Sequence, residues 1–177
     1  MKLGQNIIPE VVNNFNVYND DGTKVIGITS EMSLAELNNV VATVQGAGIA
    51  GAIETPVVGQ YQSISQTIPF RILYNRVMNF VSPLKPIRMN LRGAIQVTDS
   101  STGISSMLGV RYVISGRCKG LTPGTMAPGG EMNASVLIEA TYVLLEIDGE
   151  KVIEIDKYNN VCRINGVDVL EQVRKLC

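Results

Sequence analysis

Hydrophobic and polar residues alternate with a period of two over much of the chain, the pattern of a β-strand with one buried face. The clearest case is 87–98. One of its faces carries Ile87, Met89, Leu91, Ile95 and Val97, and the other carries Arg88, Asn90, Arg92, Gln96 and Thr98. The pattern returns over 110–119, and turn-forming residues at 99–103 separate the two segments. We therefore predict that they pair as an antiparallel hairpin.

A long apolar strand is predicted over 134–147. Asp148 and Gly149 follow it, and then a second strand over 151–156. Both turn residues tolerate positive φ, so this is a strong hairpin signal.

Weaker strand signals occur in the first half of the chain. Phe15–Tyr18 and Lys24–Thr29 flank the turn sequence at 20–22 and predict another hairpin. Residues 37–45 and 60–68 read as strands rich in Asn, Gln, Ser and Thr.

Two short helices complete the predicted elements. The first covers roughly Pro69 to Phe80, because proline suits the first helical position and an apolar stripe follows. The second covers about Asp168 to Leu176, with Leu170, Val173 and Leu176 on one face. The sum is mainly β: an antiparallel β-sandwich or barrel with two short helices, in one domain over 1–177. The Gly- and Pro-rich stretch 121–132 is predicted to be a mobile surface loop.

Composition excludes several functions. Of 177 residues 45% are hydrophobic and 18% charged, a globular balance, and His is absent, so a Ser-His-Asp or Cys-His centre cannot form within this chain. The formal net charge of −1 offers no basic field for nucleic acid. Cys118, Cys162 and Cys177 form no disulfide framework and no CxxC metal spacing, which favours a reducing cytoplasm. Met1–Glu10 does not resemble a signal peptide, and no apolar run is long enough for a membrane anchor.

The segment Gly46–Gly51 matches GxGxxG, a pattern of dinucleotide-binding turns. That interpretation needs a helix after the glycines and an acidic residue about 20 positions on. Pro56 follows too closely, and Gln66 stands where the acid should be. The alternative, a flexible loop joining strands 37–45 and 52–60, fits better.

Five basic residues follow the polar faces of the central strands: Arg88, Arg92, Arg111, Arg117 and Lys119. They are either a nucleic-acid patch or a solvated or ion-paired sheet face. No aromatic residues interleave with them, so the second interpretation is favoured, with cross-strand or cross-subunit pairing to Glu139, Glu146 or Glu154. Asp20-Asp21-Gly22 and Asp148-Gly149-Glu150 lack the alternating acids of a calcium loop and are read as turns. The sequence thus supplies no catalytic, cofactor-binding or metal-binding candidate.

Two segments resemble the major tail tube proteins of contractile-tailed phages and R-type phage-tail-like bacteriocins. One is the C-terminal run Tyr142–Gly149, Val152–Asp156 and Ile164–Asp168; the other is the start, Ile8–Tyr18. Between them, Gly46–Gly51, Ala52–Pro56 and Pro69–Arg71 follow the family's order. The loop 121–132 and the three cysteines depart from it.

The resemblance implies a structural protein and not an enzyme. Six subunits would close into a ring with a shared inner β-barrel, and rings would stack into a tube inside a contractile sheath. The loop formed by Gly46, Ala47, Gly48, Ile49, Ala50 and Gly51 would reach the adjacent ring. Implied partners are the sheath, baseplate, tail terminator and tape measure proteins, with DNA possible in the channel. The particle would assemble in the bacterial cytoplasm.

Elementary physics supports this picture. Unpaired sheet borders invite pairing with another chain, and a contact that does not close generates a filament. Weak polar strands make sense if one face lines a wet channel; the candidates are Asn39, Thr43, Gln45, Ser63, Ser65 and Thr67. Two alternatives stay open: the tube protein of a type VI-like injection system, and a soluble β-sandwich binding module or enzyme.

Overall fold

Over residues 6–177 the alternating segments form ten strands, most of them in one large antiparallel sheet. The computed structural model describes residues 6–177. Met1–Gln5 lie outside the described residues. They belong to the predicted domain 1–177 and to the segment Met1–Glu10 that does not resemble a signal peptide. The strands are β1 (Ile7–Asn19), β2 (Asn39–Val44), β3 (Ile53–Tyr61), β4 (Ile64–Phe70), β5 (Ile87–Asp99), β6 (Ser105–Thr122), β7 (Ala134–Ile147), β8 (Glu150–Asp156), β9 (Val161–Ile164) and β10 (Val167–Asp168). A 3₁₀ helix, Asn75–Phe80, precedes β5, and α1 (Glu171–Leu176) follows β10.

The main sheet has the order β1-β5-β6-β7-β8-β9-β10, and β4 also pairs with β7. Strand β6 pairs along one edge of β7. Two strands share the other edge of β7, because β4 pairs with its first half and β8 with its second half. Strands β2 and β3 form a separate two-stranded sheet. The mainly antiparallel β fold with two short helices is confirmed.

The two strongest predicted hairpins are confirmed. Strands β5 and β6 pair from Ile87 opposite Gly116 to Thr98 opposite Ser105. Strands β7 and β8 are joined by Asp148 and Gly149, with φ of 51° and 79°. Both turn residues therefore have the positive φ that a two-residue hairpin turn requires.

A bulge at Thr141 decides which residues of β7 face the core. Ala140 pairs with Gly116 and Tyr142 with Ser115, so Thr141 is the extra residue. Such an insertion shifts the alternation by one position. Before the bulge the even-numbered residues are buried, as Ala140 is, and after it the odd-numbered Val143 takes over.

The core lies on one face of the main sheet. Its largest fully buried side chains include Phe70, Ile64, Ile68, Met89, Ile114 and Ile138. The 3₁₀ helix covers this face with Val77 and Phe80, and the Phe80 ring lies 6.0 Å from that of Phe70 between centroids. Burial of several large apolar side chains at roughly 1.5–3 kcal/mol each anchors β4 and the helix to the sheet.

The prediction of a helix from Pro69 is wrong. Pro69 and Phe70 end strand β4, and helical structure begins only at Asn75. Ile64, Gln66, Ile68 and Phe70 alternate with exposed or half-buried residues and are all buried, so period-two burial decides the structure here. Proline is tolerated because β4 lies at a border of the sheet.

The C-terminal helix is shorter than predicted. Asp168 ends β10 and accepts a hydrogen bond from the Leu170 amide, and α1 begins at Glu171. Of the predicted apolar face only Leu170 is buried; Leu176 is 88% exposed. The β9–β10 hairpin takes the residues before it, turning at Asn165 and Gly166.

The first half of the chain also differs from the prediction. Strand β1 is much longer than Phe15–Tyr18 and pairs with β5, while Lys24–Thr29 makes one bridge to it, from Lys24 to Tyr18. The predicted strand 60–68 straddles the junction of β3 and β4. At the other end of the fold, β6 continues to Thr122, so the start of the predicted loop 121–132 belongs to a strand.

Candidate functional site

The face of the main sheet opposite the core is polar. Residues directly opposite each other on neighbouring strands share a face. One such row contains Asn16, Arg92, Arg111 and Glu146; another contains Arg88, Ser115, Tyr142 and Asp156; a third contains Arg117, Glu139 and Ser65. We call this surface the polar face. An antiparallel sheet of this kind packs its apolar face on the core and leaves its polar face in contact with water.

Most of the predicted basic residues have partners within the subunit. Arg111 Nη1 lies 2.9 Å from Glu146 Oε2, and Lys119 Nζ lies 3.3 Å from Glu139 Oε2. For these two residues the contacts confirm the cross-strand alternative of the predicted pairing.

Two further basic residues are held in other ways, again within the subunit. Arg88 lies 3.8 Å from Asp20, and the Arg92 guanidinium lies over the Tyr18 ring, 5.2 Å from its centroid. Arg117 stands opposite Glu139 in the strand register. The polar face is therefore a mixed-charge surface, and not a bare basic patch.

Glu154 does not pair with these residues, contrary to one of the predicted options. It accepts from Lys151 at 3.0 Å, from Arg163 at 3.0 Å and from the Tyr142 hydroxyl at 3.2 Å. Burial alone would raise its pKa, but these donors outweigh it and hold the pKa below its usual value. The carboxylate therefore stays charged at neutral pH.

Glu139 is the centre of a second cluster at the β4–β7 junction. It accepts from the Ser63 hydroxyl at 2.6 Å and from Lys119 at 3.3 Å, and Lys119 also lies 3.4 Å from the Ser63 and Ser65 hydroxyls. Partial burial acts to raise the pKa of Glu139, yet Ser63, Lys119 and Lys157 together lower it.

The six predicted channel residues fall into two groups. Ser63, Ser65 and Thr67 lie together on the polar face, with Ser65 directly opposite Glu139. Asn39, Thr43 and Gln45 lie apart from them, exposed on β2 and just beyond it. The structure thus brings only the first group together with the charged rows.

The predicted contact loop Gly46–Gly51 is the tip of the β2–β3 hairpin. A strand and not a helix follows the glycines, which rules out the dinucleotide-binding turn. Two backbone hydrogen bonds shape the tip, from the Ile49 amide to the Gly46 carbonyl and from the Gly51 amide to the Ile49 carbonyl. All residues of the tip are exposed.

The hairpin is anchored at its base, where β3 meets the C-terminal elements. The Cys162 thiol lies 3.8 Å from the Tyr61 hydroxyl, and burial, together with Cys162, raises the pKa of Tyr61 to about 12. Gly59 has φ of +69°, and a Cβ added there would lie 2.5 Å from Leu170. Only glycine fits this conformation and this contact.

Strand β1 forms a border of the main sheet. Within the described range 6–177, the part of β1 from Ile7 to Phe15 pairs with β5 and has no strand on its other side. Ile8, Val11 and Val12 on this strand are each more than half exposed. The alternation predicted a strand only over Phe15–Tyr18, because Glu10 and Asn13 are bulged and interrupt the pattern.

A groove of about 740 Å³ runs between β1 and residues 24–32 and is open to solvent. In the part of the chain that the structure describes, no three His, Cys, Asp or Glu residues come together around a possible metal position. Over the same residues, no helix has the length and apolar character to cross a bilayer.

Comparison with known proteins decides between the remaining interpretations. Residues 9–176 match the family described as phage tail tube protein FII. The chain belongs to this family. It is also 25% identical over 160 residues to the tail tube protein of Escherichia phage P2, and the match covers 88% of this chain and 90% of that protein.

Membership of the tail tube family establishes the role of the protein. It is a structural subunit of a phage tail tube and a component of the virion tail.

Proposed function

We propose that six copies of this chain close into a ring, that rings stack into the inner tube of a contractile tail or tail-like particle, and that the tube passes DNA or protein. The observation that carries the proposal is the border of β1, with unpaired backbone groups and exposed Ile8, Val11 and Val12. Such a border invites a strand from another molecule. Pairing it with the opposite border of a neighbouring copy joins the sheets around the ring.

In this arrangement the polar face lines the channel. Ser63, Ser65 and Thr67 lie on that wall, while Asn39, Thr43 and Gln45 extend it along the hairpin. Bare arginines and lysines would hold a polyanion through counterion release. The ion pairs of Arg111 and Lys119 with their glutamates reduce that attraction. A passing polymer then meets a hydrated, mixed-charge surface.

The subunit's role is structural and not enzymatic. Assembly takes place in the bacterial cytoplasm, and the outer surface of the tube meets the sheath protein. The tube ends meet the baseplate and tail terminator proteins, and the tape measure protein occupies the channel during assembly. The Gly46–Gly51 tip contacts the adjacent ring.

The experiment compares two lysine substitutions. Val12→Lys places a charge on the β1 border, where Val12 is 63% exposed; Leu84→Lys is the control, since Leu84 is 88% exposed outside the strands. Negative-stain microscopy and sedimentation of the concentrated wild-type protein should show rings or tubes with a central channel. Val12→Lys should leave single folded subunits, and Leu84→Lys should assemble as the wild type does. Wild-type protein that stays monomeric at high concentration would refute the proposal.

A further inference from the structure

A second exposed apolar surface lies on the loop between β6 and β7. A shallow, open depression of about 410 Å³, which we call the 126–132 patch, is lined by Ile72, Met126, Ala127, Pro128 and Met132. Met126 is 89% exposed and Ile72 is 54% exposed. Exposed apolar side chains are stabilised when another apolar surface covers them and removes them from water.

The depression is held in shape by its own contacts. The Met132 amide donates to the Arg71 carbonyl at 2.7 Å, and the Thr125 amide donates to the Met132 carbonyl at 2.8 Å. Arg71 and Glu131 form an ion pair at 2.7 Å beside it. A preformed apolar depression loses little conformational freedom when it is filled.

The Gly46–Gly51 tip has the matching character. No charged residue occurs from Leu37 to Ile53, and none occurs from Gly120 to Gly130 on the loop that forms the patch. Contact between these two surfaces therefore removes no charge from water. Ile49 is the one large apolar side chain of the tip and is 38% exposed.

The base of the β2–β3 hairpin and the patch lie at opposite ends of β4. The hairpin leads into the first residue of β4, Ile64, and the patch begins just after its last, Phe70. Seven residues of strand separate the base of the hairpin from the patch by roughly 20 Å. A contact between different surfaces of two identical molecules need not close on itself, and so it can continue along a filament.

We propose that the 126–132 patch receives the Gly46–Gly51 tip of another copy of this chain, with Ile49 entering the depression between Met126 and Met132. The inference rests on the proposed stacking of rings and adds the receiving surface. It commits the patch to a second copy of this protein.

Disulfide trapping tests the contact without disturbing the fold. One preparation carries Ile49→Cys, a second carries Met126→Cys, and both carry Cys177→Ser to remove the exposed native thiol. The two are mixed, assembled, oxidised and run on a non-reducing gel. We expect linked dimers from the mixture and none from either preparation alone. The control replaces Met126→Cys by Ile104→Cys, an exposed residue outside the patch, and should give no dimer.

The outcomes separate this inference from the proposed function. Rings or tubes that form without the Ile49–Met126 link would overturn the receiving surface and leave the tube intact. A link formed within one chain, in protein carrying both cysteines, would show that the tip folds onto its own patch. Absence of any ring or tube would overturn both proposals.

A charge in the depression gives an independent readout. Met126→Asp should raise the protein concentration needed for tube growth at least about tenfold, because burial of one methionine side chain is worth about that much. Individual rings should persist, since the substitution lies away from the β1 border. Tubes growing at the wild-type concentration would contradict the proposal.

Discussion

Gln66 is a buried polar side chain. Substitution of Gln66 or of its hydrogen-bond partner Tyr112 should change the free energy of unfolding. It lies on the core face of β4 with no exposed surface. Its Nε2 donates to the Ser33 carbonyl at 2.8 Å and to the Thr67 carbonyl at 2.6 Å, and its Oε1 accepts from the Tyr112 hydroxyl at 3.1 Å. The same hydroxyl accepts from the Ala35 amide at 3.3 Å. This network ties the segment before β2 to the main sheet.

Tyr112→Phe removes the hydroxyl and leaves the ring in place. Among the described residues, the Tyr112 hydroxyl is the group that donates a hydrogen bond to Gln66 Oε1. The substitution therefore leaves a fully buried acceptor unsatisfied. That situation costs about 1–3 kcal/mol in the free energy of unfolding. Tyr112 is 4% exposed, and its burial raises the pKa of the phenol to about 12, so the group is a neutral hydroxyl at any ordinary pH.

A double-mutant cycle separates this effect from a general loss of packing. Gln66→Met removes the acceptor at similar volume, and Tyr112→Phe should then cost less than it does in the wild type, with a coupling of about 0.5–3 kcal/mol. The measurement is urea unfolding followed by far-UV circular dichroism, at concentrations below assembly and with unchanged m-values. An equal cost of Tyr112→Phe in both backgrounds, or no cost at all, would refute the reasoning.

Two further predictions concern packing and pH. Gly116→Ala should destabilise the subunit by about 1–3 kcal/mol in urea unfolding, because its Cβ would lie 2.0 Å from the Glu139 carbonyl oxygen, whereas Gly109→Ala on the same strand meets no atom within 4 Å and should cost less than about 1 kcal/mol. Similar costs at both positions would contradict the clash. Glu139 and Glu154 have lowered pKa values in the folded state, so the stability they contribute is present above the unfolded value of about 4.5 and is lost as pH falls through the folded pKa. Urea midpoints measured from pH 7 to pH 3 should fall, and Glu154→Gln should flatten that decline; an unchanged slope would count against the network.

Local signals predicted the parts of the fold that depend on local chemistry. The β5–β6 and β7–β8 hairpins follow from strict alternation and from the Asp148-Gly149 turn. The β2–β3 hairpin follows from the glycines at its tip. In each case the interacting residues are near one another along the chain.

Errors occurred where distant residues decide. Pro69 suits a helix start, but burial of Phe70 against β7 and Phe80 keeps it in a strand. The alternation of β4 is hard to detect in the sequence because Gln66, a polar residue, occupies a core position. Its side-chain oxygen accepts a hydrogen bond from the Tyr112 hydroxyl. The pairing of β1 with β5 and the bulges at Glu10 and Thr141 left no pattern in the sequence that a short window detects.

The candidate site was predicted only in part, because some of its features depend on contacts between distant segments. Cross-strand ion pairs such as Arg111–Glu146 follow from charges on facing strands. The β1 border and the 126–132 patch are visible only in three dimensions, since exposure of an apolar residue depends on which segments fail to cover it.

Strand β4 pairs with β7, which is synthesised much later, and this order affects folding during synthesis of the protein. Ser63, next to β4, and Glu139 of β7 are 76 positions apart. At bacterial translation rates of about 5–20 residues per second, β4 waits on the order of 4–15 s on the ribosome before β7 exists. Because β7 is the strand on which β4 and β8 both assemble, the sheet cannot be completed until most of the chain has emerged. A chain still being synthesised therefore lacks part of its sheet, and the subunit that enters the proposed tube is a finished one.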